Sequence, residues 1–264
     1  METLEEAFIK DNVKRGRCSI FLGMPETGKT FLALKWLVYS LQHNIYNEYH
    51  LVLPMFEHEE NKSYDFLLPH KDKVFIYKKY SEIVALKVDK LREKKKIMFM
   101  IDDATHGLMN KIDSTLVGLC TTSRHSRNGG LTVFLVVHCA KKVIPPTIRQ
   151  NLKYLFIYRI DSAELLQKTV YDDFVSLQYK KNEKDFIDFL KDYSAVVDKN
   201  RYGVMLIARN VDVDLAEQSG SCYLDFNVNN WELFNLKPVV KKTEKKPTII
   251  KKPSHPLMSL FSRK

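Results

Sequence analysis

The segment that most constrains the fold runs from Gly23 to Thr30. It fits the pattern G-x-x-x-x-G-K-[S/T] at every required position, with the sequence Gly23-Met24-Pro25-Glu26-Thr27-Gly28-Lys29-Thr30. An apolar run from Cys18 to Leu22 precedes the segment, and Phe31 to Leu41 follows with helical periodicity. A strand, a glycine-rich loop and a helix are therefore predicted in succession, which is one βα unit of an α/β fold.

The residue types in this loop predict a site for the phosphates of a nucleotide. Gly23 and Gly28 permit backbone angles that turn amide groups inward around phosphates. Lys29 adds a positive charge near the β- and γ-phosphates, and Thr30 offers a hydroxyl to Mg²⁺. The amino end of the following helix adds its partial positive charge. We therefore expect residues 23–30 to bind ATP with Mg²⁺, while the loop does not indicate which reaction follows.

Two carboxylates follow a second apolar run. Ile97 to Ile101 is apolar throughout, and Asp102 and Asp103 come directly after it. Open parallel sheets bind ligands at the carboxyl ends of their strands, which is where this run delivers the two acids. We expect Asp102 to hold Mg²⁺ beside Thr30 and Asp103 to orient or deprotonate the attacking water.

A third apolar run, Leu131 to Val137, ends in a polar residue, His138. In phosphate-loop enzymes with a strand between the phosphate-loop strand and the acidic strand, such a residue can sense the γ-phosphate or the water. His138 is therefore predicted to act through its ring N–H, and a purely structural histidine is the alternative.

Arginines precede and follow that run. Arg124 and Arg127 lie in the glycine-containing segment 123–130, and Arg149 lies further along. A guanidinium in such a position can neutralise the charge that develops on a transferring phosphoryl group, as an arginine finger does. The alternative for each of the three is an ordinary surface arginine.

The remaining apolar runs predict the rest of the sheet. Further strands are expected at Tyr49–Met55, Lys73–Tyr77, Tyr154–Tyr158, Gly203–Ala208 and Ser221–Phe226. Ser81 is expected to cap a helix that runs to about Lys95. Continuously apolar strands that alternate with helices indicate a mainly parallel sheet covered on both faces. We take residues 1–236 as one domain of this kind.

The positive charge of the chain is concentrated in residues 237–264. Nine Lys or Arg and one acidic residue give this segment a charge of +8, out of +10 for the whole chain. The segment also contains four prolines and three lysine pairs, so it is predicted to be extended or disordered. It could bind a polyanion, act as a nuclear-import or capsid-docking signal, or simply keep the protein soluble.

Two features bear on localisation. The sequence has no apolar run of about 18 residues, so no transmembrane segment is expected. The acidic start, Met1-Glu2-Thr3-Leu4-Glu5-Glu6, is unlike a secretory signal. An intracellular location is therefore expected, and the basic tail leaves the nucleus open.

Taken in order, these motifs resemble the FtsK–HerA superfamily, and within it the genome-packaging ATPases of poxviruses and related large DNA viruses and virophages. The resemblance covers about residues 16–160. Its more discriminating parts are Arg124-His125, with the Asn and Gly residues after it, and the segment Pro145-Pro146-Thr147-Ile148-Arg149-Gln150-Asn151.

The resemblance implies a RecA-like core, a hexameric ring and ATP-driven translocation of double-stranded DNA into a preformed capsid. It places nucleotide binding at Gly28, Lys29 and Thr30 and the metal and water roles at Asp102 and Asp103. It also places the sensor at His138 and the finger at Arg124 or Arg127. Capsid or vertex proteins are the further partners that it implies, and the host-cell cytoplasm, a viral factory or the virion are the locations that it implies. Many members carry Glu at the position of Asp103 and Gln at the position of His138.

Two alternatives stay open from the sequence. A nucleoside or nucleotide kinase also carries a phosphate loop on a small α/β domain, although it needs an arginine-rich lid that the segment 150–230 does not clearly supply. A scaffold gated by nucleotide binding without hydrolysis would recruit DNA or capsid through the tail.

Overall fold

The computed structural model describes residues 8, 12–14, 16–53, 62–84, 95–103, 114–122, 130–138, 144–176, 180, 183–198, 202–208 and 223–226. Eight strands in these ranges form one sheet: β1 (Cys18–Leu22), β2 (Glu48–Val52), β3 (Val74–Tyr77), β4 (Ile97–Ile101), β5 (Leu131–Val137), β6 (Tyr154–Ile157), β7 (Val204–Ala208) and β8 (Tyr223–Phe226). The helices are α1 (Lys29–Gln42), a 3₁₀ helix (Lys62–His70), α2 (Tyr80–Val84), α3 (Ser114–Thr122), α4 (Pro146–Asn151), α5 (Ala163–Leu166), a π-helix (Gln167–Val175) and α6 (Phe186–Val197).

The sheet is mainly parallel, with the strand order β3-β2-β4-β5-β1-β6-β7-β8. The first six strands of this order run parallel, whereas β7 pairs antiparallel with β6 and β8 antiparallel with β7. Strand β5 lies between β1 and β4, so the segments that follow these three strands meet at one edge. This is the arrangement in which a polar residue after β5 lies beside the phosphate loop.

Helices cover both faces of the sheet, as the buried strands require. All residues of β1, β4 and β5 are buried, because their side chains alternate between two apolar layers. In one layer Ile20 packs in a cluster that includes Phe189 of α6. In the other layer Phe21 packs in a cluster that includes Trp36 of α1. The predicted fold, an α/β RecA-like sheet with helices on both faces, is therefore confirmed.

Strands β1, β4 and β5 have the predicted bounds, and every other predicted strand end that lies within the described residues is shifted by at most one residue. The helix after β3 begins at Tyr80, so Ser81 lies inside it and is not its cap. Glu82 takes the capping role instead, since its Oε1 accepts a hydrogen bond of 2.9 Å from the amide of Lys79. Lys95 is not helical, and residues 85–94 lie outside the described residues, so the predicted helix end at about Lys95 stays a prediction.

Met55 and the whole segment 227–264 also lie outside the described ranges. The division into a domain of residues 1–236 and a basic tail of residues 237–264 therefore stays a prediction. Within the described residues, no helix combines the length and the apolar character needed to cross a membrane.

Candidate nucleotide site

The loop between β1 and α1 is anchored on both sides by neighbouring strands. The amide of Gly23 donates to the carbonyl of Val137 at the end of β5 (3.3 Å), and the amide of Met24 donates to the carbonyl of Arg159 after β6 (3.0 Å). A Cβ at Gly23 would lie 2.6 Å from Cβ of Tyr158, which excludes any other residue without a shift of β6. The loop is thus held between two buried strands of a rigid sheet.

The second glycine of the loop sets the start of α1. Gly28 has a φ of 96° and precedes the first helical residue, a backbone angle that disfavours residues with a Cβ. Glu26 also has a positive φ, 59°, and Thr27 Oγ1 donates to the carbonyl of Met24 (2.8 Å). The turn therefore presents the amino end of α1 to the cavity beside it, as an anion site requires.

Lys29 reaches back across the loop. Its ammonium donates to the carbonyl of Met24 and lies 3.4 Å from Nδ1 of His138. Burial lowers the pKa of Lys29 to about 8, and the nearby carboxylates of Asp102 and Asp103 oppose this shift. The charge of Lys29 is therefore poorly solvated, so an anion placed beside it would gain a strong partner.

Asp102 is the most fully bonded side chain of the site. Its Oδ1 accepts a hydrogen bond from Thr30 Oγ1 (2.9 Å) and one from the amide of Asp103 (3.0 Å). Its Oδ2 accepts a hydrogen bond from the hydroxyl of Tyr64 (2.9 Å). Burial raises the pKa of Asp102, while the hydrogen bonds from Thr30 and Tyr64 oppose that rise because they favour the charged form.

Asp103 points a carboxylate oxygen into the same region without such bonds. Its φ of 48° is left-handed, a conformation that Asp and Asn adopt more readily than most residues. Its Oδ1 is buried and accepts no hydrogen bond within the described part of the chain, and Nε2 of His138 lies 3.6 Å from it. The side chain as a whole is 35% exposed, so its carboxylate can still accept a proton from a water molecule bound beside it.

His138 lies between the loop and Asp103, and the two partners of its Nδ1 impose opposite protonation states. Nδ1 must be unprotonated to accept from Lys29 (3.4 Å), but it must carry the proton to donate to the carbonyl of Gly23 (3.3 Å). In the first case the proton is on Nε2, which faces Asp103. A neutral imidazole with its proton on Nε2 presents an N–H donor toward Oδ1 of Asp103, 3.6 Å away.

These groups share one cavity of about 890 Å³, within the range that nucleotide-sized ligands occupy. Its walls include the loop from Pro25 to Thr30, both carboxylates and His138. Phe31 and Phe66 line it on the side of α1 and the 3₁₀ helix, and Tyr202 lines it as well. Asp102, Asp103 and His138, which are distant in the sequence from the loop, are thus brought to it by β4 and β5.

The oxygen donors of Thr30 and Asp102 suit Mg²⁺, which prefers hard oxygen ligands and is commonly held by one or two carboxylates plus the phosphates of its substrate. Among the described residues there is no group of three or more His, Cys, Asp or Glu side chains that could hold a metal ion by themselves. A magnesium ion at Thr30 and Asp102 would therefore depend on phosphate oxygens for much of its coordination.

Of the three arginines considered from the sequence, the structure describes only Arg149. Arg124 and Arg127 lie outside the described residues. Arg149 of α4 forms an ion pair with Asp173 of the π-helix, and only 12% of its side chain is exposed. That pairing favours a structural role for Arg149 over the finger role.

Tyr64 is the residue of the site that sequence reasoning missed. It lies in the 3₁₀ helix, is only 4% exposed and is 38 residues away from the carboxylate to which it donates. No motif surrounds it, and a tyrosine among other apolar residues is typical of an ordinary core. Only the packing of the 3₁₀ helix against the end of β4 reveals its contact with Asp102.

Comparisons with known proteins give similarity at the level of structure. The genome packaging NTPase B204 from Sulfolobus turreted icosahedral virus 2, solved with ATP-gammaS, is 13% identical; the match covers 74% of this chain and 93% of that chain at a TM-score of 0.48. The pCW3 conjugation coupling protein TcpA is 16% identical over 61% of this chain and 53% of its own, at a TM-score of 0.43.

EssC (ATPases 2 and 3) from Geobacillus thermodenitrificans is 18% identical over 59% of this chain and 34% of its own, at a TM-score of 0.40. No protein-family model matches the sequence, and no curated protein matches it. Genome-packaging NTPases, which the sequence motifs resemble, are thus among the solved structures similar to this chain. Because fold does not imply function, we argue function from the site itself.

Proposed function

We propose that this protein is an ATPase that translocates double-stranded viral DNA into a preformed capsid. The observation that carries its enzymatic part is the 2.9 Å hydrogen bond between Thr30 and Asp102. This bond joins the end of the phosphate loop to the acidic end of β4, with Asp103 and His138 on the same cavity. A phosphate-binding loop and a candidate base for water thus face one space, which is what hydrolysis of a triphosphate needs.

The roles proposed for the residues follow from their positions. The loop from Gly23 to Gly28 and the ammonium of Lys29 would hold the phosphates, and Thr30 and Asp102 would hold Mg²⁺. Such a metal ion neutralises charge on the phosphate oxygens. Asp103 would orient and deprotonate the attacking water. The position of His138 between Lys29 and Asp103 supports the sensor role, because a triphosphate would draw Lys29 away from Nδ1.

Translocation of DNA is proposed on the resemblance of the motifs. We propose that Arg124 or Arg127 acts on the site of a neighbouring subunit in a hexameric ring. Double-stranded DNA and capsid or vertex proteins are the proposed partners, and the host-cell cytoplasm or viral factory is the proposed location.

The function is tested by measuring release of inorganic phosphate from ATP with and without duplex DNA, together with the mass of the particle in solution. We expect duplex DNA to raise the rate and ATP to favour a multimeric ring. Transfer of phosphate to added nucleosides would instead identify a kinase. Binding of ATP with no turnover under any condition would contradict the enzyme and favour a scaffold.

Replacement of Tyr64 by Phe tests the metal role of Asp102. The substitution removes the hydroxyl that holds Oδ2 at 2.9 Å and leaves the ring in the core. Removing a group that orients a metal ligand costs about 10- to 100-fold in metal affinity. We expect the Mg²⁺ concentration that half-saturates ATP binding to rise by that factor, while ATP binding in the presence of a chelator stays unchanged.

The matched control is Tyr77→Phe, which removes a hydroxyl that bonds to Nδ1 of His50 at the same length of 2.9 Å, away from the cavity. Calorimetric titrations of both variants with Mg²⁺ and ATP provide the comparison. An equal response in the two variants would show that the hydroxyl of Tyr64 acts on stability alone.

A further inference from the structure

The edge of the sheet that carries the site has an acidic side and an aromatic side. From β4 through β5 and β1 to β6 and β7, the segments at this edge bring Asp102 and Asp103, then His138, then the loop, and then residues 158–159 and Tyr202. Tyr202 belongs to this edge because β7 is antiparallel to β6, with Met205 paired to Ile157. The start of β7 therefore lies beside the end of β6.

This order gives a bound triphosphate a direction. Thr30 and Asp102 are in contact on the β4 side of the loop, and the candidate base Asp103 is on that side too. The phosphate that is cleaved must lie next to these groups, so the terminal phosphate points toward β4 and β5. The nucleoside then leaves the loop on the opposite side, toward β6 and β7.

Tyr202 lies where the nucleoside would leave. It lines the same cavity as the loop, and its Cδ1 is 3.3 Å from the position that a Cβ on Gly28 would occupy. The residue as a whole is still 46% exposed. Aromatic side chains bind nucleobases by stacking, which needs only the π-face that every base has.

We infer that Tyr202 forms the nucleobase subsite of this cavity, with its ring stacked on the base of a nucleoside triphosphate. This inference rests on the proposed function, since it takes its direction from the catalytic roles of Thr30, Asp102 and Asp103. A side chain at position 28 would crowd this subsite, because its Cβ would lie 3.3 Å from Cδ1 of Tyr202. The rival subsite within the cavity is Phe31, which is 56% exposed on the other side of the loop.

The test separates binding of the base from binding of the phosphates. Calorimetry would measure the affinity of the full chain for ATP and for inorganic tripolyphosphate, both with Mg²⁺, in the wild type and in Tyr202→Ala, Tyr202→Phe and Phe31→Ala. Because stacking on an aromatic side chain is worth roughly 1–3 kcal/mol per base, Tyr202→Ala should weaken ATP binding by about 5- to 150-fold. Its affinity for tripolyphosphate should stay within about twofold of the wild type, and Tyr202→Phe should bind both ligands normally.

Three outcomes would overturn the inference. The first is normal ATP binding by Tyr202→Ala, and the second is a selective loss of ATP binding in Phe31→Ala instead. The third is an equal loss of ATP and tripolyphosphate in Tyr202→Ala, which would mean that the ring only supports the loop through Gly28. The proposed function fails separately. If Tyr202→Ala lowers the affinity for ATP alone, but DNA does not stimulate hydrolysis by the wild type, the nucleobase subsite is supported and the motor function is contradicted.

Discussion

Replacement of Lys29 by Ala is expected to weaken ATP binding by about 100-fold and to lower hydrolysis by about 100- to 1,000-fold. A hydrogen bond from a charged donor is worth roughly 1.5–3 kcal/mol, and the ammonium of Lys29 can make more than one to phosphate oxygens. Loss of one donor that stabilises charge in a transition state typically costs 10²–10³ in rate. The buried position of Lys29 strengthens both effects, because little water competes for its charge.

Because Lys29 is buried, its replacement by Ala should affect ATP binding without destabilising the fold. Burial lowers the pKa of Lys29, which means that the folded protein carries this charge at a cost. Its removal should therefore leave the midpoint of thermal unfolding near or above that of the wild type. Lys168→Ala is the control, because it removes an exposed lysine that pairs with Glu164 outside the cavity. Normal ATP binding by a folded Lys29→Ala protein would refute the site.

The sequence was sufficient for those parts of the site that depend on strand ends. Asp102, Asp103 and His138 each follow a run of buried residues, and the carboxyl ends of parallel strands meet at one edge. The glycine-rich loop could be placed because its chemistry restricts the residue type at four of eight consecutive positions. Local patterns therefore predicted which groups converge.

Local patterns did not predict what holds these groups. The order β4-β5-β1 is a property of the crossovers between strands, and apolar runs by themselves do not specify it. Tyr64 contacts Asp102 from a 3₁₀ helix that is distant from it in sequence, and Arg149 of α4 pairs with Asp173 of the π-helix. Tyr202 precedes a strand whose antiparallel direction brings it back to the site. Such contacts form between segments distant in sequence, so residue type alone does not indicate them.

Replacement of Asp103 by Asn is expected to leave ATP binding within about twofold of the wild type while hydrolysis falls by about 10²–10⁴-fold, the usual contribution of a general base. Binding should survive because Asp103 contributes only its backbone amide to the hydrogen bonds of Asp102. The fold should survive because Asn tolerates the left-handed backbone found at this position, with its φ of 48°. Single-turnover hydrolysis and equilibrium binding, measured on the same preparation, separate the two effects.

Two further variants assign the loss to the correct carboxylate. Asp102→Asn should weaken Mg²⁺-dependent ATP binding as well as hydrolysis, because its oxygens bond to both Thr30 and Tyr64. Asp103→Glu keeps a carboxylate at the position where many proteins of the resembling family carry Glu, so it should retain far more activity than Asp103→Asn. If Asp103→Asn hydrolyses ATP at the wild-type rate, the base is another group, and the buried Oδ1 of Asp103 serves only to orient His138 at 3.6 Å. If ATP binding falls together with hydrolysis, Asp103 stabilises bound ATP before the reaction, and its proposed role as the base for the attacking water is wrong.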